Sequence, residues 1–288
     1  MNTIKKYASK IILLGEYGVI HGGEILASPL SKYTAQWMVE KDNDYQRKRL
    51  AHIYDYLVEY GIQSIDLEAL KSAIENGTYL QSDIPTGYGL GSSGSITAAL
   101  YDVFGREQYG IDDLDSLKQD LIDIECCFHR KSSGIDPLVI YLDSPVHING
   151  KGIQILDQPL DMSNYFLIDT YEQRSTGLLV DQYMELAEDP DYMNEIEIYK
   201  SLNKNAIAAQ LKGDITKLSS AISDISRWQY NFLSFGILDI HKELWRSTLD
   251  RFDVSLKLCG AGGGGFMMGY AENEKILEEF SEFDLIRL

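Results

Sequence analysis

The sequence predicts an α+β fold in two domains. Its 288 residues amount to about two domains at ~150 residues each. Strand-like and helix-like segments are interspersed without strict β-α-β alternation, which disfavours a doubly wound parallel sheet. Apolar residues make up 44% and charged residues 24%, the proportions of a chain with a full core. No internal repeat and no Pro- or Ser-rich linker interrupts it. The expected division is residues 1–155 and 156–288.

The elements follow from residue spacing. Lys10–Leu14, Tyr17–Ile20 and Tyr33–Val39 read as strands and turns. Asp44–Tyr60 reads as a helix, with Leu50, Ile53, Leu57 and Tyr60 on one stripe. Ser92–Phe104 is a second helix and Asp112–Phe128 a third, the latter with acids in its first turn. Leu138–Leu142, Val146–Ile148 and Ile153–Leu156 read as strands. Beyond residue 160 the mixture repeats. Tyr165–Asp169 is a strand, Ser175–Tyr183 starts a helical tract, and Asn194–Leu211 and Asp214–Phe235 are long helices. Val254–Cys259 and Phe266–Tyr270 are strands around a glycine run, and Glu274–Phe283 is a closing helix.

Charge and cysteine usage narrow the function. There are 26 basic and 44 acidic residues, a net charge of −18. So acidic a surface repels a phosphate backbone, and nucleic acid is not an expected partner. Small anionic substrates need only a local basic pocket. Cys126, Cys127 and Cys259 make neither a disulfide framework nor a C-x-x-C knuckle. The apolar stretch Ile11–Leu14 is too short and too soon interrupted by Glu16 for a secretory segment. No run approaches the ~20 apolar residues of a membrane span. A reducing, cytoplasmic setting without a membrane partner is expected.

Three segments carry chemistry. The first is Pro85-Thr86-Gly87-Tyr88-Gly89-Leu90-Gly91-Ser92-Ser93-Gly94, running into a helix. Alternate glycines let a backbone approach a ligand closely, and a helix start offers unpaired N–H groups and partial positive charge. Together they suit a phosphate. Ser92 and Ser93 can cap the helix, or one hydroxyl can ligate magnesium. Gly89, Gly91 and Gly94 also spell a dinucleotide fingerprint, but the preceding residues 81–86 are polar and broken by Pro85, whereas that fingerprint follows an apolar strand.

The second segment is Lys257-Leu258-Cys259-Gly260-Ala261-Gly262-Gly263-Gly264-Gly265 between two apolar strands. Five glycines exceed what a turn needs. They predict a backbone surface packed on a ligand, with a flexible hairpin tip as the alternative. The third runs from Glu125 through His129 to Asp136 and Pro137. Glu125 and His129 share a helix face. Asp136 before proline fits either a helix N-cap or a catalytic acid. A zinc site on Glu125 and His129 lacks a third ligand by spacing.

These segments, with Lys10-Ile11-Ile12-Leu13-Leu14-Gly15-Glu16-Tyr17-Gly18-Val19-Ile20-His21-Gly22, resemble in order and spacing the three motifs of the GHMP kinases, over nearly the whole chain. The likeness is strongest to the branch acting on mevalonate. It implies a ribosomal-S5-domain-2-like N-terminal domain and a ferredoxin-like C-terminal domain. It implies ATP and Mg²⁺ as cofactors, with Ser93 and Glu125 as metal ligands. Asp136 would be the base toward the substrate hydroxyl and Lys10 its cationic neighbour. Pro85, Gly87, Gly89, Leu90, Gly91, Ser92, Ser93 and Gly94 would wrap the ATP phosphates. Glu16, Tyr17, His21, Gly262 and Gly263 would face the small-molecule substrate, mevalonate or a similar hydroxy acid. A homodimer is an expectation of the family alone.

The chain departs from the pattern in places. Tyr17 stands where the family usually has His, Cys259 where it has Thr, and Phe266 where it has a small residue. Arg130, Lys131 and Ser132 replace Gly-Asn-Pro. The two cations could clasp a carboxylate or phosphate or form a solvated surface pair. Arg174, Ser175 and Thr176 are further candidates for the acid-binding side. The alternatives to a mevalonate-directed kinase are a sibling acting on phosphomevalonate or another hydroxy acid, a sibling that decarboxylates, and a nucleotide-binding regulator without turnover.

Overall fold

The computed structural model describes residues 5–40, 43–107, 109–128, 132–173 and 176–288. The chain opens with strands β1 (Lys6–Leu14) and β2 (Ile25–Val39), both with mostly buried first halves. Helix α1 (Asp44–Glu59) follows and buries Leu50, Ile53 and Leu57, the expected stripe. Helix α2 (Leu67–Glu75) starts at Asp66, whose side chain accepts the Ala69 N–H at 3.0 Å. Strand β3 (Thr78–Ser82) comes next. Helix α3 (Ser92–Phe104) is buried on most sides by Ala98, Ala99, Leu100 and Tyr101. Helix α4 (Leu114–Glu125) is capped by Asp113 on the Ser116 N–H.

Helix α5 (Ile135–Leu142) replaces the strand expected over Leu138–Leu142. Leu138, Val139 and Ile140 are all buried. A short, continuously apolar run has no polar face to reveal its period. Gly134 in the left-handed region (φ +68°) starts the helix. Two further helices and two strands lie where no element was expected: α2, β3, a helix over Asp239–Thr248 and a strand over Leu285–Arg287.

The later half begins with the hairpin β4 (Val146–Asn149) and β5 (Gly152–Ile155). It continues with β6 (Tyr165–Asp169), α6 (Thr176–Leu186), α7 (Pro190–Lys212), α8 (Ile215–Phe232), α9 (Asp239–Thr248), β7 (Val254–Leu258), β8 (Phe266–Ala271) and β9 (Leu285–Arg287). A 3-10 turn over Gly18–His21 stands where a strand over Tyr17–Ile20 was expected. Another 3-10 segment, Glu274–Phe280, takes the place of the closing helix.

Among the described residues there are two sheets. In the first the order is β1-β2-β4-β5, with β3 also on β2. The 15-residue length of β2 lets it serve two partners in succession: Ile25–Ala27 pair with β4, and Ala35–Val39 pair with β3. The second sheet is antiparallel with the order β7-β8-β6-β9. Counted within that sheet alone, this is second-third-first-fourth, the ferredoxin-like arrangement. The α+β expectation holds.

By proximity the residues form two compact units that interleave along the chain. One comprises residues up to Lys10, Pro29–Pro85 and Leu90–Ser144. The other comprises Ile11–Ser28, Thr86–Gly89 and Pro145–Leu288. A boundary at 155/156 is one of chain order, and the units follow neighbours in space instead.

Within the second sheet, Gly269 lies opposite Phe166. A Cβ on Gly269 would sit 2.1 Å from the Phe166 ring. Gly269→Ala should therefore cost about 1–3 kcal/mol through overpacking, read as a lowered midpoint in denaturant. An unchanged midpoint would mean that the ring moves aside freely. No helix among the described residues is long and apolar enough to cross a membrane.

Candidate active site

The first unit gathers four of the expected groups. Lys10 lies on β1 with its side chain 3% exposed, and its Nζ is 2.8 Å from Asp136 Oδ1. Its backbone N–H donates to the Leu90 carbonyl at 3.0 Å, tying the strand to the residue before Gly91. Asp136 is the second residue of α5, in the first turn, where the helix dipole favours a carboxylate. It is not the N-cap, because Gly134 holds that place. Glu125 ends α4 and is buried. The Ser93 hydroxyl donates to Glu125 Oε1 at 3.3 Å. The Ser132 hydroxyl donates to Oε2, and Ser132 Oγ also accepts the Gly134 N–H at 2.9 Å.

Glycine geometry explains how these groups come together. A Cβ on Gly91 (φ +78°) would sit 2.9 Å from Lys10 Cγ. One on Gly94 would sit 2.9 Å from Asp136 Cβ and from the Pro137 nitrogen. So Gly94 lets α3 touch α5, while its neighbour Ser93 reaches α4. Gly87, Gly89 and Gly91 all adopt positive φ, between 78° and 82°, which suits glycine at each alternate position. Gly91, not a serine, is the N-cap of α3, and no side chain caps that helix start. Leu90 is fully buried, and Pro85 and Ser92 are half-buried. Beside Ser92 lies a shallow depression walled by Leu50, Ile53, Leu80 and Ile96, with Arg49 and Ser82 at its polar side.

Burial pushes the Glu125 carboxyl up to about 7, with the Asp136 charge adding to the shift and the Ser132, Ser93 and Lys10 contacts opposing it. A cation beside Glu125 would favour its ionised form. Among the described residues no three His, Cys, Asp or Glu side chains are grouped to hold a metal. Magnesium does not need such a cage, since it takes one or two carboxylates with phosphate and water oxygens. The oxygen donors of Glu125 and Ser93 fit it. His129, Arg130 and Lys131 lie outside the described residues, as do Arg174 and Ser175. Thr176 opens α6.

The second unit holds the remaining candidates. Glu16 is buried, and its Oε1 accepts a hydrogen bond from Lys257 Nζ, which also donates to the Leu258 carbonyl at 2.7 Å. The side chains of this ion pair are 1% and 0% exposed. Glu16 thus meets an internal counter-charge. Lys257 opens the second glycine-rich segment of the sequence, but the sequence assigns it no role. Its signal was a lone cation inside the apolar run Val254–Leu258.

Tyr17 has a positive φ of 58°, uncommon for a residue with a side chain. Its hydroxyl donates to the Ala261 carbonyl at 2.8 Å. Its ring packs on Tyr183 and Phe235, with centroids 4.7 and 6.0 Å away. Tyr17→Phe should keep this packing and lose one hydrogen bond, about 1 kcal/mol. Thermal unfolding with a drop far above that would assign the phenol a larger structural role. His21 ends the 3-10 turn, and burial holds its imidazole below the ordinary histidine value, helped by Lys200 and opposed by Glu197.

The glycine run is packed on the protein's own chain. A Cβ on Gly262 would lie 2.4 Å from the Gly236 carbonyl oxygen. On Gly263 it would meet Leu179 at 2.7 Å, on Gly264 the Glu172 carbonyl at 2.7 Å, and on Gly265 the Tyr88 backbone at 2.5 Å. The Gly263 N–H donates to the Gly236 carbonyl at 2.6 Å. Close chain-to-chain approach therefore asks for glycine at these four positions.

Comparisons with known proteins show what the chain is similar to. Residues 49–143 match the model of the GHMP kinases N terminal domain. A mevalonate kinase of Archaeoglobus fulgidus is 25% identical over 280 residues, covering 92% of this chain and 91% of that protein. Among solved structures, the Methanococcus jannaschii mevalonate kinase superposes with a TM-score of 0.69 at 18% identity, covering 100% of this chain and 98% of that one. The Streptococcus pneumoniae phosphomevalonate kinase does so with a TM-score of 0.68 at 15% identity, over 99% of each chain. At such identities these structures speak for the fold.

Proposed function

The chain belongs to the GHMP kinase family, and from that premise we propose that it transfers the γ-phosphate of ATP to the primary hydroxyl of mevalonate. The observation that carries this is the Lys10–Asp136 pair, set beside the Ser93–Glu125 pair by the contact of Gly94 with Asp136. Phosphoryl transfer asks for positioning and charge neutralisation more than for covalent chemistry. These residues supply both.

Asp136 accepts the proton of the acceptor hydroxyl as the new O–P bond forms and the bond to the β-phosphate bridging oxygen breaks, leaving ADP. Lys10, held in place by Asp136 and the Leu90 carbonyl, keeps a positive charge beside the transferring group. Ser93 and Glu125 would hold Mg²⁺, which neutralises the charge of the β- and γ-phosphates. The glycines from Gly87 to Gly94 admit the phosphates to the start of α3. Glu16, Tyr17, His21, Gly262 and Gly263 remain the proposed acceptor side, Glu16 and the two glycines as its supporting frame.

A second reading, phosphorylation of phosphomevalonate, draws support from the likeness to the phosphomevalonate kinase structure. ADP release from purified protein with MgATP separates the two. Mevalonate, phosphomevalonate, homoserine and a blank are run side by side. Mevalonate-dependent ADP with phosphomevalonate inert supports the first reading, and the reverse pattern replaces it with the second.

A further inference from the structure

Ser132 stands where the pattern described above has proline, and its hydroxyl makes two bonds at once. It accepts the Gly134 N–H at 2.9 Å and donates to Glu125 Oε2. The first bond closes a tight turn of the kind that serine hydroxyls favour. It also constrains the second. A hydroxyl carries one proton, and with a lone pair engaged by Gly134 that proton goes to the carboxylate. Proline would stiffen the chain here through its ring. Serine does so through a bond that ends on Glu125.

What this bond connects gives it a use. Glu125 is the last residue of α4 and is buried. Gly134 is the N-cap of α5, two residues before Asp136. The start of α5 is pressed on α4, since a Cβ on Gly134 would lie 2.6 Å from Ile122 Cγ1 and 3.1 Å from Lys118 Cγ. Packing thus sets the two backbones and leaves the long Glu125 side chain to be fixed by its hydrogen bonds. Its two oxygens go to different hydroxyls. Oε1 accepts from Ser93 at 3.3 Å and Oε2 accepts from Ser132. With Ser132 on Oε2, Oε1 is the oxygen that faces Ser93, the other proposed ligand. One carboxylate oxygen and one hydroxyl suit Mg²⁺, which takes phosphate and water oxygens for the rest of its shell. All of these residues lie in the first unit.

We propose that Ser132 is a positioning residue for the metal: its hydroxyl holds Glu125 so that Oε1 is presented beside Ser93, and ties that carboxylate to the start of the helix that carries Asp136. This rests on the kinase reading above and assigns a role to a residue at which the chain departs from the family pattern.

Ser132→Ala removes the hydroxyl, and Ser132→Thr keeps it. Each protein is melted with ATP over a series of Mg²⁺ concentrations, with ATP and a chelator as the baseline. The Mg²⁺ concentration that gives half of the added stabilisation should rise about tenfold in the alanine variant, the lower end of what losing such a supporting bond costs a metal site. Threonine should restore it. In turnover the KM for Mg²⁺ should rise likewise, with the KM for mevalonate unchanged. On a Glu125→Ala background, removing the Ser132 hydroxyl should change nothing further. An unchanged half-point in the alanine variant overturns the proposal, as do equal shifts with alanine and threonine, or additive effects on the Glu125→Ala background. An alanine variant that does not fold, by circular dichroism, also overturns it, since the hydroxyl would then serve the fold. Turnover decides the kinase reading separately. If the wild type phosphorylates no acceptor, that reading fails, and the melting series still decides Ser132. No Mg²⁺-dependent gain in the wild type overturns the proposal.

Discussion

Asp136→Asn should lower kcat by about 10²–10⁴-fold, the usual contribution of a positioned base. Asparagine keeps the shape of the side chain and its place in the first turn of α5. It cannot accept the proton, and it removes the charge facing Lys10 at 2.8 Å. Lys10 is 3% exposed on its side chain while Asp136 is 28% exposed, so solvent reaches one partner and the loss of stability should be modest. The KM for ATP should stay within a few-fold, because the groups proposed for phosphate and metal are untouched. Steady-state kinetics with far-ultraviolet circular dichroism as a folding control make the measurement. Near-normal turnover in a folded variant would remove Asp136 from the mechanism.

Lys257→Met should destabilise the protein by about 3–5 kcal/mol. Removing one partner of a buried ion pair leaves the other charge without compensation. Here that charge is Glu16, whose side chain is 1% exposed. For a chain of this size the midpoint should fall by roughly 10 °C. The double variant Glu16→Gln with Lys257→Met should recover much of the loss, since desolvation and attraction nearly balance in such pairs. If the double variant is as unstable as the sum of the two single ones, the pair is not coupled and the cost lies in packing.

Much of this was legible because the chemistry was written in local patterns. The stripe of Leu50, Ile53 and Leu57 marks α1 without help from the rest of the chain, and Lys10, Ser93, Glu125 and Asp136 stand in motifs whose spacing can be read directly. Misreadings arose where the deciding contact was distant. Leu138–Leu142 gives no period because both faces are buried. The Gly262–Gly265 run, read alone, does not show that Gly236, Leu179, Glu172 and Tyr88 lie against it. Lys257 is an odd cation in a strand until Glu16, 241 residues away in sequence, appears as its partner.

The interleaving of the two units bears on how such a protein can change. The backbone passes from one unit to the other after Lys10, Ser28, Pro85, Gly89 and Ser144. No single cut releases either unit whole from the other. Recombination between genes, which trades contiguous segments, would disrupt at least one of them wherever it struck. A lineage built on this chain path is thus steered toward gradual substitution within a fixed scaffold, so new specificities would be reached by exchanging side chains rather than by swapping modules.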